Sequence, residues 1–156
     1  MKNILVVCSG NTCRSPMAAA LLATRLGAGR QILAAGTAAV PGSGASALAI
    51  QVMGERGLDL GGHRARILSR DLVEQADLVL TMTRAHRQAV LDLVPGAADR
   101  TFTLREYAGC PVNPPVDEEL DISDPLGRGL EVYQAVAGEL ERLADEVGRR
   151  LGGGAG

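Results

Sequence analysis

The chain has 156 residues, 46% of them hydrophobic, and a formal net charge of -2 at pH 7. That length suits one domain around one core, and the apolar content excludes an intrinsically disordered chain. A charge so near zero gives no reason to expect nucleic acid or an anionic membrane as a partner.

Lys2 to Val7 reads as a buried strand, because Ile4-Leu5-Val6-Val7 is a continuous, partly β-branched run that ends at turn residues. The apolar stretch Ile4 to Cys8 is too short for a signal-peptide core, and no segment approaches the length of a membrane span, so a cytoplasmic protein is expected. Ser15 is the expected N-cap of a first helix, with Pro16 just inside it and Gly27 at its end. Gln31 to Ala35 reads as a second strand, followed by a loop from Gly36 to Ala45. A helix is expected from about Ser46 to Arg56, with Leu48, Val52 and Met53 on one face. Ser69 should cap a short helix over Arg70 to Gln75. Leu78 to Met82 is the clearest later strand, and Thr83 to Val94 a helix with Ala89, Val90 and Leu93 inward.

Thr101 to Leu104 can form a fourth strand. Cys110 to about Gly129 is a long loop rich in proline and acids, and loops of that length in a small domain are commonly functional. Leu130 to Leu151 is a helix with Tyr133, Val136, Leu140, Leu143, Val147 and Leu151 at three- and four-residue spacings. Residues 1–151 are thus one domain, and 152–156 a frayed tail. Strands alternating with helices imply parallel pairing through right-handed crossovers. The expected fold is α/β: a three-layer sandwich with a central four-stranded parallel sheet and helices on both faces.

In such sheets ligands sit at the carboxyl ends of the strands. The first strand ends in Cys8-Ser9-Gly10-Asn11-Thr12-Cys13-Arg14-Ser15. Backbone N–H groups of a tight loop ahead of a helix form a nest for an oxyanion, and the helix N-terminus adds partial positive charge. Gly10 is read as the residue that lets this backbone turn where a side chain would obstruct. Arg14 can close the nest with a planar fork that matches two phosphate oxygens. Those same donors favour thiolate over thiol at Cys8, making it a nucleophile below a bound phosphoryl group, and Ser15 can donate to the sulfur. Ser9, Gly10, Asn11, Thr12, Cys13, Arg14 and Ser15 are therefore the candidate phosphate-binding residues. Cys13, close to Cys8, can form a reversible disulfide that protects the nucleophile. No cofactor or metal is called for, since the two histidines lack zinc-ligand spacing. In the acidic loop Asp124 stands out because Pro125 stiffens the backbone beside it; Asp121 is second.

Cys8 to Met17, C-S-G-N-T-C-R-S-P-M, resembles the signature of the low-molecular-weight protein tyrosine phosphatase family. The likeness extends to Ala35-Gly36-Thr37, His63-Arg64-Ala65-Arg66, Ala76 to Thr83, and Asp124-Pro125. It implies a cysteine-dependent phosphatase acting on phosphorylated proteins through a cysteinyl-phosphate, with Asp124 as general acid, Asp121 as helper, and His63 near Asn11. Thr12 and Leu126 bear on specificity. Tyrosine-directed members usually carry Ile at the position of Thr12 and an aromatic residue at that of Leu126. Thr12 instead resembles bacterial protein-arginine phosphatases, so phosphoarginine is the expected substrate and phosphotyrosine the alternative. Two departures are Ala34, where the family usually has Ser, and Ala19, where it usually has Glu. A thioredoxin-coupled arsenate reductase shares the loop but needs two further cysteines after the third strand, and Met82 to Val94 has none. The presence of both Arg14 and Asp124 argues against a pure oxyanion or redox sensor, because sensing alone requires no general acid.

Overall fold

The computed structural model describes residues 2–109 and 120–152. Four strands, β1 (Asn3–Cys8), β2 (Gln31–Gly36), β3 (Leu78–Thr81) and β4 (Thr101–Thr103), form one sheet in the order β2-β1-β3-β4, with every pairing parallel. Around it lie α1 (Arg14–Leu26), α2 (Ala47–Gly54), α3 (Arg70–Gln75), α4 (Arg84–Leu93), α5 (Leu104–Tyr107) and α6 (Leu130–Leu151), with a 3-10 turn over Pro95–Arg100.

The period-two alternation of β1 divides the core. Ile4, Val6 and Cys8 face one way, into a cluster with Met17, Leu21 and Leu22 of α1, Val52 and Met53 of α2, and Tyr133, Leu140 and Val147 of α6. Leu5 and Val7 face the other way, against Val73 of α3 and Val90 of α4. Because β1 is covered on both faces it shows no polar alternation, and the three-layer α/β sandwich follows.

Several local expectations need correction. Ser15 is not the cap of α1: the helix already begins at Arg14, its N-cap is Cys13, and no side chain caps it. Leu104 is not in β4 but opens α5, whose N-cap Thr103 and Glu106 form a reciprocal capping box that ends the strand. On α4 the inward row is His86 and Val90, continued by Val94 just past the helix; Leu93 is 37% exposed. Helix α2 ends at Gly54 rather than Arg56, with Ser46 as its N-cap. Of the long acidic loop, 110–119 lie outside the described residues, as do 153–156 of the expected tail. No helix among the described residues is long and apolar enough to cross a membrane.

Candidate active site

Residues 8–15 run from the carboxyl end of β1, the middle of the sheet, into the first turn of α1. Cys8 Sγ lies 2.9 Å from Ser15 Oγ and accepts the backbone N–H of Asn11 at 3.3 Å. Asn11 Nδ2 donates to Ser15 Oγ at 2.7 Å, which leaves the Ser15 hydroxyl hydrogen for the sulfur. Ser15 thus serves the nucleophile and not the helix end.

Asn11 is the keystone of the loop. It is fully buried and its φ is 57°, the left-handed region where Asn is one of the few tolerated residues. Its Oδ1 accepts the Arg66 backbone N–H at 2.9 Å, and its carbonyl accepts His63 Nε2–H at 2.7 Å. His63 therefore lies where the resemblance placed it. Gly10 has no positive φ, and a Cβ there would meet only Thr12 Oγ1 at 3.5 Å, so it is not the position that excludes a side chain. Gly36 is. A Cβ on Gly36 would lie 2.3 Å from the carbonyl oxygen of Ser9 and 2.9 Å from the amide nitrogen of Asn11. The end of β2 abuts the loop this closely because Thr37 and Ala38 donate backbone N–H groups to the Cys8 and Ser9 carbonyls, both at 2.9 Å.

Arg14 is 4% exposed, and its Nη1 donates to the carbonyl of Ile122 at 2.8 Å. Nη2 stands 3.4 Å from Asp124 Oδ2, while Nε is buried with no partner among the described residues. The Nε–Nη2 edge, the one suited to bidentate binding of an oxyanion, is thus not taken up by the Ile122 carbonyl. Asp124 comes from the far loop, which is pinned at Ile122: the side chain is buried and its N–H donates to the Met82 carbonyl at 2.9 Å. The Asp124 side chain is 46% exposed, and its Oδ1 accepts the Leu126 N–H at 3.0 Å in a local turn. Asp121 points elsewhere, binding the backbone and guanidinium of Arg84 at 2.8–3.2 Å. Partial burial opposes its ionisation, but the Arg84 side-chain and backbone bonds outweigh it and hold Asp121 below the usual carboxylate range.

A cleft of about 230 Å³ opens over these groups, lined by Cys8, Ser9, Gly10, Thr12, Cys13, Arg14, Ala38, Asp124 and Leu126. All three expected catalytic residues and both expected specificity residues face it. Larger cavities exist, including one of about 520 Å³ between α5 and α6, but its lining holds no nucleophile. Among the described residues no group of three or more His, Cys, Asp or Glu side chains is arranged to hold a metal ion.

Three features escaped the reading of the sequence. Ala38 lines the cleft because β2 ends against the loop. Tyr133, placed by its spacing only in the core, reaches Cys13 Sγ at 3.2 Å and Ser46 Oγ at 3.1 Å; burial first, then the Cys13 contact, raises its hydroxyl above the ordinary pKa. His86 Nε2 lies 2.8 Å from Ser9 Oγ. Burial and, less strongly, the Arg14 charge lower the His86 pKa to about 4, against the opposing pull of Asp121 and Asp124. The Thr83-x-x-His86 spacing resembles a capping box, but only the fold brings the ring to the loop.

Comparison with known proteins agrees with this geometry. The family model described as low molecular weight phosphotyrosine protein phosphatase matches residues 3–152. A protein-arginine-phosphatase of Geobacillus stearothermophilus is 40% identical over 148 residues, covering 95% of each chain. The low molecular weight protein-tyrosine-phosphatase Wzb of Escherichia coli K12 is 37% identical over 149 residues, covering 96% of this chain and 95% of its own. The solved YwlE arginine phosphatase from Geobacillus stearothermophilus superposes with a TM-score of 0.87 at 40% identity, over 97% of this chain and 94% of the other.

Proposed function

Because the chain belongs to the low molecular weight phosphotyrosine protein phosphatase family, we propose that it dephosphorylates proteins through a phosphocysteine at Cys8, with phosphoarginine as its preferred substrate. The observation that carries this reading is the convergence of Cys8, Arg14 and Asp124 on one cleft.

In the first step the Cys8 thiolate attacks phosphorus in line. The S–P bond forms as the P–N bond of phosphoarginine breaks, and Asp124 in its acid form protonates the departing nitrogen. The Arg14 Nε–Nη2 edge and the loop amides hold the equatorial oxygens, and such fixed donors supply most of the electrostatic stabilisation. In the second step Asp124, now a carboxylate, takes a proton from water. The water oxygen bonds to phosphorus, the S–P bond breaks, and the sulfur leaves as a thiolate that Ser15 stabilises by donation from 2.9 Å.

Three features support arginine. Thr12 puts a small polar side chain on the cleft wall. The exposed carboxyl group of Asp124, in its acid form, can protonate the leaving nitrogen from one oxygen and accept a guanidine N–H on the other. A 40% identical relative is named a protein-arginine-phosphatase. Phosphotyrosine is the second reading, favoured by Leu126, an apolar side chain 58% exposed at the cleft, and by the tyrosine-phosphatase relatives. Cys8 and Cys13 are both free thiols, which suits residence in the reducing cytoplasm. Cys13, the nearby thiol, is the proposed partner for a protective disulfide with Cys8. Hydrolysis of p-nitrophenyl phosphate by the wild type, and its loss in Cys8→Ser, tests the phosphatase reading; turnover that survives the substitution would refute it.

A further inference from the structure

Ser9 lines the cleft, and a side chain from outside the loop holds its hydroxyl: His86, with Nε2 2.8 Å from Oγ. The direction of that bond follows from the other side of the ring. His86 Nδ1 accepts the backbone N–H of Thr83 at 3.1 Å, so it carries no proton, and a neutral ring must then carry its hydrogen on Nε2. Nε2 is the donor and Ser9 Oγ the acceptor.

The ring has little freedom to change this. It is 5% exposed, and it is half of a capping box in which Thr83 Oγ1 accepts the His86 backbone N–H at 3.2 Å. Protonating Nδ1 would set two N–H groups against each other at the start of α4. Burial and the charge of Arg14 both work against that protonation, while Asp121 and Asp124 favour it less strongly. The imidazole therefore acts as a fixed neutral linker between the helix end and the loop.

A hydroxyl that accepts one fixed hydrogen bond still has its own hydrogen to give. Ser9 Oγ has no other hydrogen-bond partner among the described residues, and Ser9 lines the same cleft as Cys8 and Arg14. We propose that His86 is a positioning residue that holds Ser9 as a hydroxyl donor to the phosphoryl oxygens in the cleft. This rests on the phosphatase reading for its ligand. Its benefit is preorganisation: the Ser9 hydroxyl is oriented before the anion arrives, and a bond from a hydroxyl to an anionic oxygen is stronger than one between neutral groups.

The test is a titration of the whole chain with inorganic phosphate, followed by NMR, in wild type, Ser9→Ala, His86→Gln and the double variant. Gln at the third position of a capping box still accepts the Thr83 N–H, so the helix end is kept while the rigid link to Ser9 is lost. Each single variant should weaken phosphate binding by roughly tenfold, and the double variant no further. Losses that multiply in the double variant, or wild-type phosphate affinity in Ser9→Ala, would overturn the proposal. Imidazole nitrogen shifts of the wild type give a reading independent of how the variants fold. An Nε2–H tautomer at neutral pH is expected, and an Nδ1–H tautomer would also overturn it. Turnover of p-nitrophenyl phosphate is measured in parallel; its absence in the wild type would refute the phosphatase reading, while the phosphate titrations would still decide the role of His86.

Discussion

Gly36→Ala is the smallest change that should disable the site without replacing any residue that lines the cleft. The added Cβ would lie 2.3 Å from the Ser9 carbonyl oxygen, and contacts under 3.0 Å are essentially never made by real Cβ atoms. Ser9 must therefore retreat by at least about 0.7 Å, the difference of those two distances. The Ser9 carbonyl oxygen and the Asn11 amide nitrogen, 2.9 Å from the same Cβ, are both backbone, so no side chain can swing aside. Retreat also strains the bonds from Thr37 to the Cys8 carbonyl and from Ala38 to the Ser9 carbonyl, each 2.9 Å. Overpacking of this kind costs about 1–3 kcal/mol of stability. Misplacing a catalytic loop by the better part of 1 Å costs on the order of a hundredfold in rate. Gly62→Ala is the control, because a Cβ there meets nothing within 4 Å and its φ is not positive. The assay is kcat on p-nitrophenyl phosphate with thermal melting alongside. Gly36→Ala should lose about two orders of magnitude in kcat while still melting cooperatively, and Gly62→Ala should match the wild type. Wild-type kcat in Gly36→Ala would refute the claim that β2 sets the loop's position.

Other expected outcomes follow from the same contacts. Asn11→Ala removes side-chain bonds to Ser15 and the Arg66 amide from a fully buried residue at φ 57°; a loss of about 2–4 kcal/mol, read by denaturant melting, is expected. Asp121→Asn alters a surface pair with Arg84, so stability should change by less than about 1 kcal/mol and kcat by only a few-fold, whereas Asp124→Asn should lower kcat by roughly a hundredfold or more. The His86 pKa is lowered on folding from 6.5 to about 4. The unfolded chain therefore binds more protons in that window, and the stability contribution, complete above 6.5, falls as pH drops and levels off below about 4. Melting temperature against pH should show this acid-side slope in the wild type and a shallower one in His86→Gln.

Much of this could be read from the chain because its strongest signals are local. Ile4 to Val7 is apolar at every position, which is the pattern of a strand covered on both faces. The spacing of Cys8, Arg14 and Ser15 sits across one strand-to-helix turn, so the loop chemistry needs no distant partner to be recognised. What could not be read depends on packing between elements far apart in sequence. Propensity alone puts Ser15 at the helix cap, but the Cys8 sulfur and Asn11 amide claim its hydroxyl inside the first turn. Position in the loop points to Gly10 as the sterically required glycine, whereas the tight approach is made by Gly36 across the sheet. His86 and Tyr133 each follow a helical period, which reports that a face is buried and not which polar atom it meets.

The central claim is tested most directly by kcat/KM on matched peptides carrying phosphoarginine or phosphotyrosine, with wild type beside Cys8→Ser and Thr12→Ile. Hydrolysis of both phosphopeptides should vanish in Cys8→Ser. The wild type should prefer phosphoarginine, and Thr12→Ile should shift the ratio toward phosphotyrosine. Preference of the wild type for phosphotyrosine would contradict the substrate assignment, and activity surviving in Cys8→Ser would contradict the mechanism itself.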